Sequence, residues 1–342
     1  MIVDAHAHWV PRRLLDRVVR TGLSGVTADQ QASGYVVTFP GCRPLRPVAG
    51  LMLDSADRSG WLAAQGIEHQ IVAPWLDLQG QELPRGPGES WTRFLNDSMA
   101  ESAAASRLRV SVHASVHLAD PLAAAEELSR AVTELGMRSV MLPATLPEGS
   151  LADRGYDEMW ATAVAHAVPV VIHGTTSSPA ADLLARYPVL HGVFGRHIET
   201  TLTAAELIVT GVLERFPDLR LLVVHGGGFL PYQAARFDRD AGQRREGSRP
   251  PSEFLRSLYY DSTTLSAPSL RLLYELAGFE HVVVGSDYGA TPTWPDHASV
   301  AAAVNRSSAQ LEVTEAVLHR NARELFRLDS VPDGLREGTG FD

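Results

Sequence analysis

The sequence predicts a (β/α)8 barrel, and three observations carry that prediction. Eight short, β-branched apolar runs alternate with Ala- and Leu-rich stretches of helical character, the pattern of parallel βα units. Polar residues with chemical potential (His173, His225, Asp287) each close one of those runs, and the carboxyl ends of the strands are the catalytic face of such a barrel. A doubly wound sheet is the rival, but its first strand usually leads into a Gly-rich phosphate turn. Here that position reads His-Ala-His-Trp-Val-Pro.

In chain order, the first run is residues 2–8 (IVDAHAH) and the second is 67–75 (IEHQIVAPW). Residues 90–106 then form a helix candidate, and 108–116 (LRVSVHASV) the third run. Helix 121–136, strand 138–142, helix 156–166 and strand 168–173 (VPVVIH) follow. After helix 200–216 comes the sixth run, 219–225 (LRLLVVH), then strand 258–262, helix 268–278, strand 281–287 (HVVVGSD) and helix 314–328. Three stretches lie outside this alternation. Residues 21–50 mix Gly, Thr and Pro around an alternating YVVTF segment and read as a small β-hairpin inserted after the first strand. Residues 174–197 read as a long loop after the fifth strand, and 240–251 (DAGQRREGSRPP) as a basic loop or helix end. Long loops at strand carboxyl ends build the active site of a barrel. One barrel domain is therefore expected over 1–328, with a polar tail at 329–342.

Composition narrows the function. The chain has 342 residues, 45% of them apolar and 20% charged, which suits one globular barrel with added loops. A formal net charge of -10 argues against a broad nucleic-acid footprint, which needs a basic surface. One cysteine, Cys42, excludes an internal disulfide and a multi-cysteine zinc site. The start lacks a secretory pattern and no run reaches the length of a membrane span, so the expectation is a cytoplasmic protein without a membrane partner.

The candidate metal ligands emerge from strand geometry. Side chains alternate across a strand, so Asp4, His6 and His8 should share one face and Ala5, Ala7 and Trp9 the other. Two imidazoles on one face of a buried strand are costly unless a metal or a strong network satisfies both. His173 and Asp287, at the ends of the fifth and eighth runs, complete a set of three imidazoles and a carboxylate. That set suits zinc, with manganese, cobalt or iron also compatible. No organic cofactor is expected. His225 is either a fifth ligand or an acid–base group, and the Gly226-Gly227-Gly228 that follows it suggests backbone close to substrate. Among the other histidines, only His113, His117 and His197 are retained as candidate substrate contacts.

At these residues the chain resembles the amidohydrolase-2 branch of the amidohydrolase superfamily, most closely its 2-amino-3-carboxymuconate-6-semialdehyde decarboxylase family. The resemblance is carried by VDAHAHWVP, ETTLTAAELIVTGVLERFPDLRLLVVHGGG, PPSEFLRSLYYDST, VVVGSDYG and NARELFRL. It implies a zinc ion on His6, His8, His173 and Asp287, with His225 acting on metal-bound water or substrate. It also implies a substrate carboxylate held by Arg46, with Arg43 as a competing register. A second arginine, nineteen residues beyond His225 at Arg244, would reach across a homodimer interface, with Arg239 and Arg245 as alternatives. Two departures, His173-Gly174-Thr175-Thr176 in place of a His-Pro-Trp-Asp-like segment and Tyr288-Gly289 in place of Tyr-Pro, fall beside the expected metal.

The expected function is non-oxidative decarboxylation of a small carboxylated aromatic or unsaturated acid. Arg46 and Arg244 would bind substrate, and His225 would move a proton. Hydrolysis of a lactone, amide or related bond is the alternative on the same ligands, with Asp287 or His225 taking the proton. A metal-stabilised binding protein would instead close the site with four protein ligands and no free position.

Overall fold

The apolar runs do become strands. The structure, a computed structural model, describes residues 1–53, 56–176, 178–241, 249–290 and 300–329. Among them ten strands form: β1 (Ile2–His8), β2 (Thr27–Gln31), β3 (Gly34–Thr38), β4 (Ile67–Ala73), β5 (Val110–Ala114), β6 (Ser139–Pro143), β7 (Val170–His173), β8 (Leu221–Val223), β9 (Leu258–Asp261) and β10 (Val282–Val283). Eight of them pair in the order β1-β4-β5-β6-β7-β8-β9-β10, each beside its sequence neighbour in a parallel ladder. The ring closes through Ala5 N–H donating to Val284 O and His8 N–H to Tyr288 O, both at 2.8 Å. This is a (β/α)8 barrel. Between β1 and β4, β2 and β3 form a two-stranded antiparallel hairpin whose Tyr35, Val37 and Phe39 pack with Trp75, Leu78 and Trp91.

The strands divide the core into two layers by alternation. Ile71, Met141, Val171, Leu222, Val224 and Val283 point inward and meet Ala322, Leu325 and Phe326. Val72, Val140, Leu142, Val170, Ile172, Leu221 and Val223 point outward under the helices, against Trp160, Leu207 and Leu270. Each such leucine or valine contributes about 1.5–3 kcal/mol on burial, so the register of every strand is firmly set.

The first strand breaks the simple alternation. A bulge lies between Asp4 and Ala7, where Asp4 pairs with Gln70 but Ala7 with Val72. Val3 and Ala5 belong to the inner layer and Ala7 and Trp9 to the outer one. Asp4 therefore does not share a face with His6 and His8, contrary to the expectation from strict alternation. An extra residue in one strand re-aims the side chains beyond it, and here it turns His6 and His8 inward. Asp4 instead accepts from Gln70 Nε2 at 2.7 Å and Ser286 Oγ at 2.6 Å.

Helices fill the connections. Pro121–Thr133 starts where its N-cap Asp120 accepts from Leu122 N–H at 2.9 Å, with proline in the first turn, where no amide hydrogen is needed. The predicted helix 200–216 begins earlier, at Arg196, and divides at Gly211, whose φ of 76° interrupts it into Arg196–Val209 and Val212–Arg215. The predicted loop 174–197 is not structureless, since Pro179–Leu183 is helical and His191–Gly195 is a π-turn that runs into Arg196–Val209. No helix among the described residues is long and apolar enough to cross a membrane.

Candidate metal centre

The strand ends bring the predicted residues together at one end of the barrel. One ligand atom from each of His6, His173, His225 and Asp287 lies within 4.8 Å of all the others. His8 joins them from the side. Its ring is 5.4 Å from that of His6 and 5.1 Å from that of His173, and its Nε2 is 3.1 Å from Asp287 Oδ1.

Hydrogen bonding fixes which nitrogen each ring offers. His6 Nδ1 lies 2.6 Å from Asp261 Oδ2 and His173 Nδ1 lies 2.6 Å from Gly174 O. A carbonyl or a carboxylate can only accept there, so both Nδ1 atoms carry the proton and both Nε2 atoms present a lone pair. Those Nε2 atoms are buried without a hydrogen-bond partner, as is Asp287 Oδ1. Such orphans are rare and costly in a folded interior. Their convergence fits a divalent cation, and the outer partners of His6 and His173 are of the kind that orient metal-bound imidazoles.

Charge in the centre is redistributed accordingly. Burial pushes the Asp287 carboxyl up, but the His6 charge and the adjacent rings of His225 and His8 outweigh it, so Asp287 is held well below the usual carboxylate range. Burial and the neighbouring His6, His225 and His8 push His173 far down, which keeps it neutral. Asp261, desolvated but bonded to His6, is also held ionised. Sequence reading missed Asp261. Its position at the end of β9, as the Asp of LYYD, matched the other strand-end polar residues and was the available signal. Asp261→Asn is expected to weaken metal affinity by about 10–100-fold, as measured by competition with a chelator.

His225 and Asp287 both adopt the left-handed backbone region, at φ 57° and 53°. Non-glycine residues there store strain and cluster at working sites. The glycines after His225 have an internal reason as well. Gly226, Gly227 and Gly228 have φ of 62°, 78° and 61°. Added Cβ atoms would meet Thr264 Cγ2 at 2.4 Å, the Tyr260 ring at 2.6 Å and His197 O at 2.5 Å. They permit a tight turn packed on Thr264, Tyr260 and His197.

One other site residue, Glu199, lies outside the predicted set, and His197 is one of the candidate substrate contacts. Glu199, buried in the first turn of Arg196–Val209, accepts from Thr175 N–H at 2.8 Å and from Ser178 Oγ, so it ties down the loop after β7. His197 places its ring 5.1 Å from that of His225. His113, by contrast, is a core residue, with Nδ1 2.6 Å from Ser139 Oγ and its pKa pushed down to about 3 by burial. His117 packs against Gly88, where a Cβ would fall 2.3 Å from its ring.

The arginines divide. Arg46, although exposed, stacks its guanidinium over Trp75 at 4.6 Å from the ring centre; burial first and then Arg196 lower its proton affinity, against the charges of Asp77 and Asp287. Arg43 is exposed. Arg239 is exposed and pairs with Asp240 at 2.7 Å. Arg244 and Arg245 lie outside the described residues.

The chain is similar to several named decarboxylases. Decarboxylase orsB of Emericella nidulans is 30% identical over 221 residues, covering 60% of this chain and 66% of that one. The 2-amino-3-carboxymuconate-6-semialdehyde decarboxylase of Dictyostelium discoideum is 22% identical over 300 residues, covering 84% and 81%. A dihydroxybenzoic acid decarboxylase of Polaromonas sp., solved with manganese and the inhibitor 2-nitroresorcinol, superimposes with a TM-score of 0.77 at 20% identity, covering 98% of this chain and 99% of that one. The pattern of the amidohydrolase family matches residues 80–328, a span that holds His173, His225, Asp261 and Asp287, and on that match the chain belongs to the amidohydrolase family.

Proposed function

We propose that this chain is a metal-dependent, non-oxidative decarboxylase of a small carboxylated aromatic or unsaturated acid. The observation that carries this reading is the convergence of orphaned His6 Nε2, His173 Nε2 and Asp287 Oδ1 at the catalytic end of the barrel, in a chain whose relatives include named decarboxylases.

His6, His8, His173 and Asp287 are the ligands in this reading, and His225 is the acid–base group. The two oxygens of Asp287 support the division. Oδ1 faces His8 Nε2 at 3.1 Å and His6 Nε2 at 3.4 Å, whereas Oδ2 faces His225 Nε2 at 3.9 Å. The bound ion, zinc in this reading, supplies a Lewis acid that polarises a substrate oxygen. Arg46, on the Trp75 ring, offers a planar fork for a carboxylate. When the bond to the departing carboxylate breaks, its electron pair stays on carbon, carbon dioxide leaves, and the proton that replaces it comes from His225 Nε2.

A screen of the metal-loaded protein against carboxylated catechols, aminobenzoates and muconates, followed for carbon dioxide release and for hydrolysis, tests the reading. Release of carbon dioxide from one class is the expected result. Hydrolysis without it would assign the lactone or amide reaction instead. Elemental analysis settles the ion, where manganese, present in the Polaromonas structure, is the competing outcome to zinc.

In the same reading the enzyme is a cytoplasmic homodimer, with Arg244 reaching the neighbouring site. The segment after β7 exposes Leu183, Tyr187, Val189, Val193 and Phe194, three of them more than half exposed, an apolar concentration of the kind found at subunit interfaces. Arg244→Ala is expected to raise KM or abolish turnover while sparing the metal. Lysine should rescue it poorly, since a point charge lacks the planar fork. Mixing inactive Arg244→Ala and His225→Asn protomers should restore activity, because each mixed dimer has one complete site. A mixture that exchanges subunits and stays inactive would place Arg244 outside its neighbour's site.

A further inference from the structure

His6 has a carboxylate directly behind its Nδ1, Asp261 at 2.6 Å. His173 has a peptide in that place. Its Nδ1 donates to Gly174 O at 2.6 Å, and the amide of that same peptide, Thr175 N–H, donates to Glu199 Oε2 at 2.8 Å. The carbonyl and the N–H of a trans peptide point in opposite directions. Imidazole, peptide and carboxylate therefore form one chain of two hydrogen bonds, with a candidate ligand at one end and Glu199 at the other.

The fold fixes both ends. His173 closes β7 and is 3% exposed, while Glu199 stands in the first turn of Arg196–Val209 and is 4% exposed. Gly174 lets the peptide lie against that turn, since a Cβ on it would fall 2.8 Å from Arg196 Cα and Cβ and 3.0 Å from Arg196 O. The two carboxylate oxygens have separate tasks. Oε1 accepts from Ser178 Oγ and lies 3.5 Å from His191 Nε2, whereas Oε2 takes Thr175 N–H, with Thr175 Oγ1 at 3.5 Å. Among the described residues no arginine pairs with Glu199. A buried carboxylate without a cation is costly, and a cation on His173 Nε2 would stand at the far end of this chain of bonds.

We propose that Glu199 is a positioning residue of the metal centre, which orients the His173 ring through the Gly174–Thr175 peptide and makes Nε2 a stronger donor, as Asp261 does for His6 directly. This rests on the reading of His173 as a ligand. Hydrogen bonds in a chain polarise one another, and outer partners raise the basicity of the imidazole they hold. The charge of Glu199 is thereby felt at Nε2 although its side chain touches no ligand.

Zinc affinity, measured by competition with a chelator, and the visible absorption of the cobalt(II)-loaded protein test the inference. Glu199→Gln keeps an oxygen for Thr175 N–H and removes the charge. It should bind zinc about 10-fold more weakly, the low end of the range for outer partners because a peptide intervenes, and its cobalt bands should move to longer wavelength as the donor weakens. Ser178→Ala removes a bond to the other oxygen and leaves the peptide link intact, so affinity and spectrum should both stay as in the wild-type protein. If the glutamine variant does not fold, Glu199→Asp, which draws the charge back by one methylene, should show the same two changes in smaller measure. Wild-type affinity and spectrum in the folded Glu199 variant, or an equal loss in Ser178→Ala, overturns the proposal and leaves Glu199 as a tether of the loop. Failure of the ligand reading looks different, because His173→Asn would then retain zinc. Failure of the proposal alone leaves His173→Asn without zinc and the Glu199 variant with it.

Discussion

Asp287→Ala is expected to lose both the metal and the activity, with turnover falling by at least about 10³-fold, because a bound ion contributes several kcal/mol of charge stabilisation to the transition state. The expectation follows from position and charge. Among the described residues Asp287 is the one carboxylate that faces the Nε2 atoms of both His6 and His8, at 3.4 and 3.1 Å, and it is held ionised against a strong burial penalty. Removing it leaves neutral imidazoles as the only donors. The backbone complicates alanine, since φ of 53° at this position costs a residue without a short polar side chain roughly 1–2 kcal/mol. Asp287→Asn tolerates that conformation better and removes only the charge, so the two variants together separate loss of metal from loss of fold. Elemental analysis beside far-UV circular dichroism makes the measurement. Full metal content in either folded variant would remove Asp287 from the ligand set.

The barrel and the members of its centre were legible because each signal was local. An apolar run ending in His or Asp says both where a strand stops and what it delivers there. Residues 168–173 became β7 with His173 at its end, and 281–287 delivered Asp287 although only Val282–Val283 remains in the ladder. What stayed hidden depends on contacts between distant segments. The bulge in β1 is set by register against β4, and no alternation rule locates it within IVDAHAH. Asp261 becomes a partner of His6 only when β9 is placed beside the closing strands, 255 residues from its target in sequence. Arg196 read as one residue of a long loop, because its packing on Gly174 joins two segments that the sequence alone does not bring together. The glycines after His225 were legible for their conformational freedom, not for the protein surface they pack on. Their φ values were predictable from composition, whereas Thr264, Tyr260 and His197 as the packing surface were not.

The last expected result decides between His8 and His225. Mutual distance groups His225 with His6, His173 and Asp287, whereas the proposed ligand set has His8 in that place. His225→Asn should keep the metal and lower kcat by about 10²–10⁴-fold, the range for removing a general acid–base group. Asparagine is the suitable replacement, because His225 sits at φ 57° and asparagine enters that region more readily than most residues. KM should change less than kcat if the lost interaction belongs to the transition state. His8→Asn should do the opposite and lose the metal, since His8 is buried beside Asp287 Oδ1, the oxygen that also faces His6. Read together, the two variants leave one assignment standing. Metal kept without His225 and lost without His8 supports the acid–base role, and the reverse pattern would make His225 the ligand and free His8 for proton transfer. Loss in both would place five protein groups on the ion and require another source for the proton.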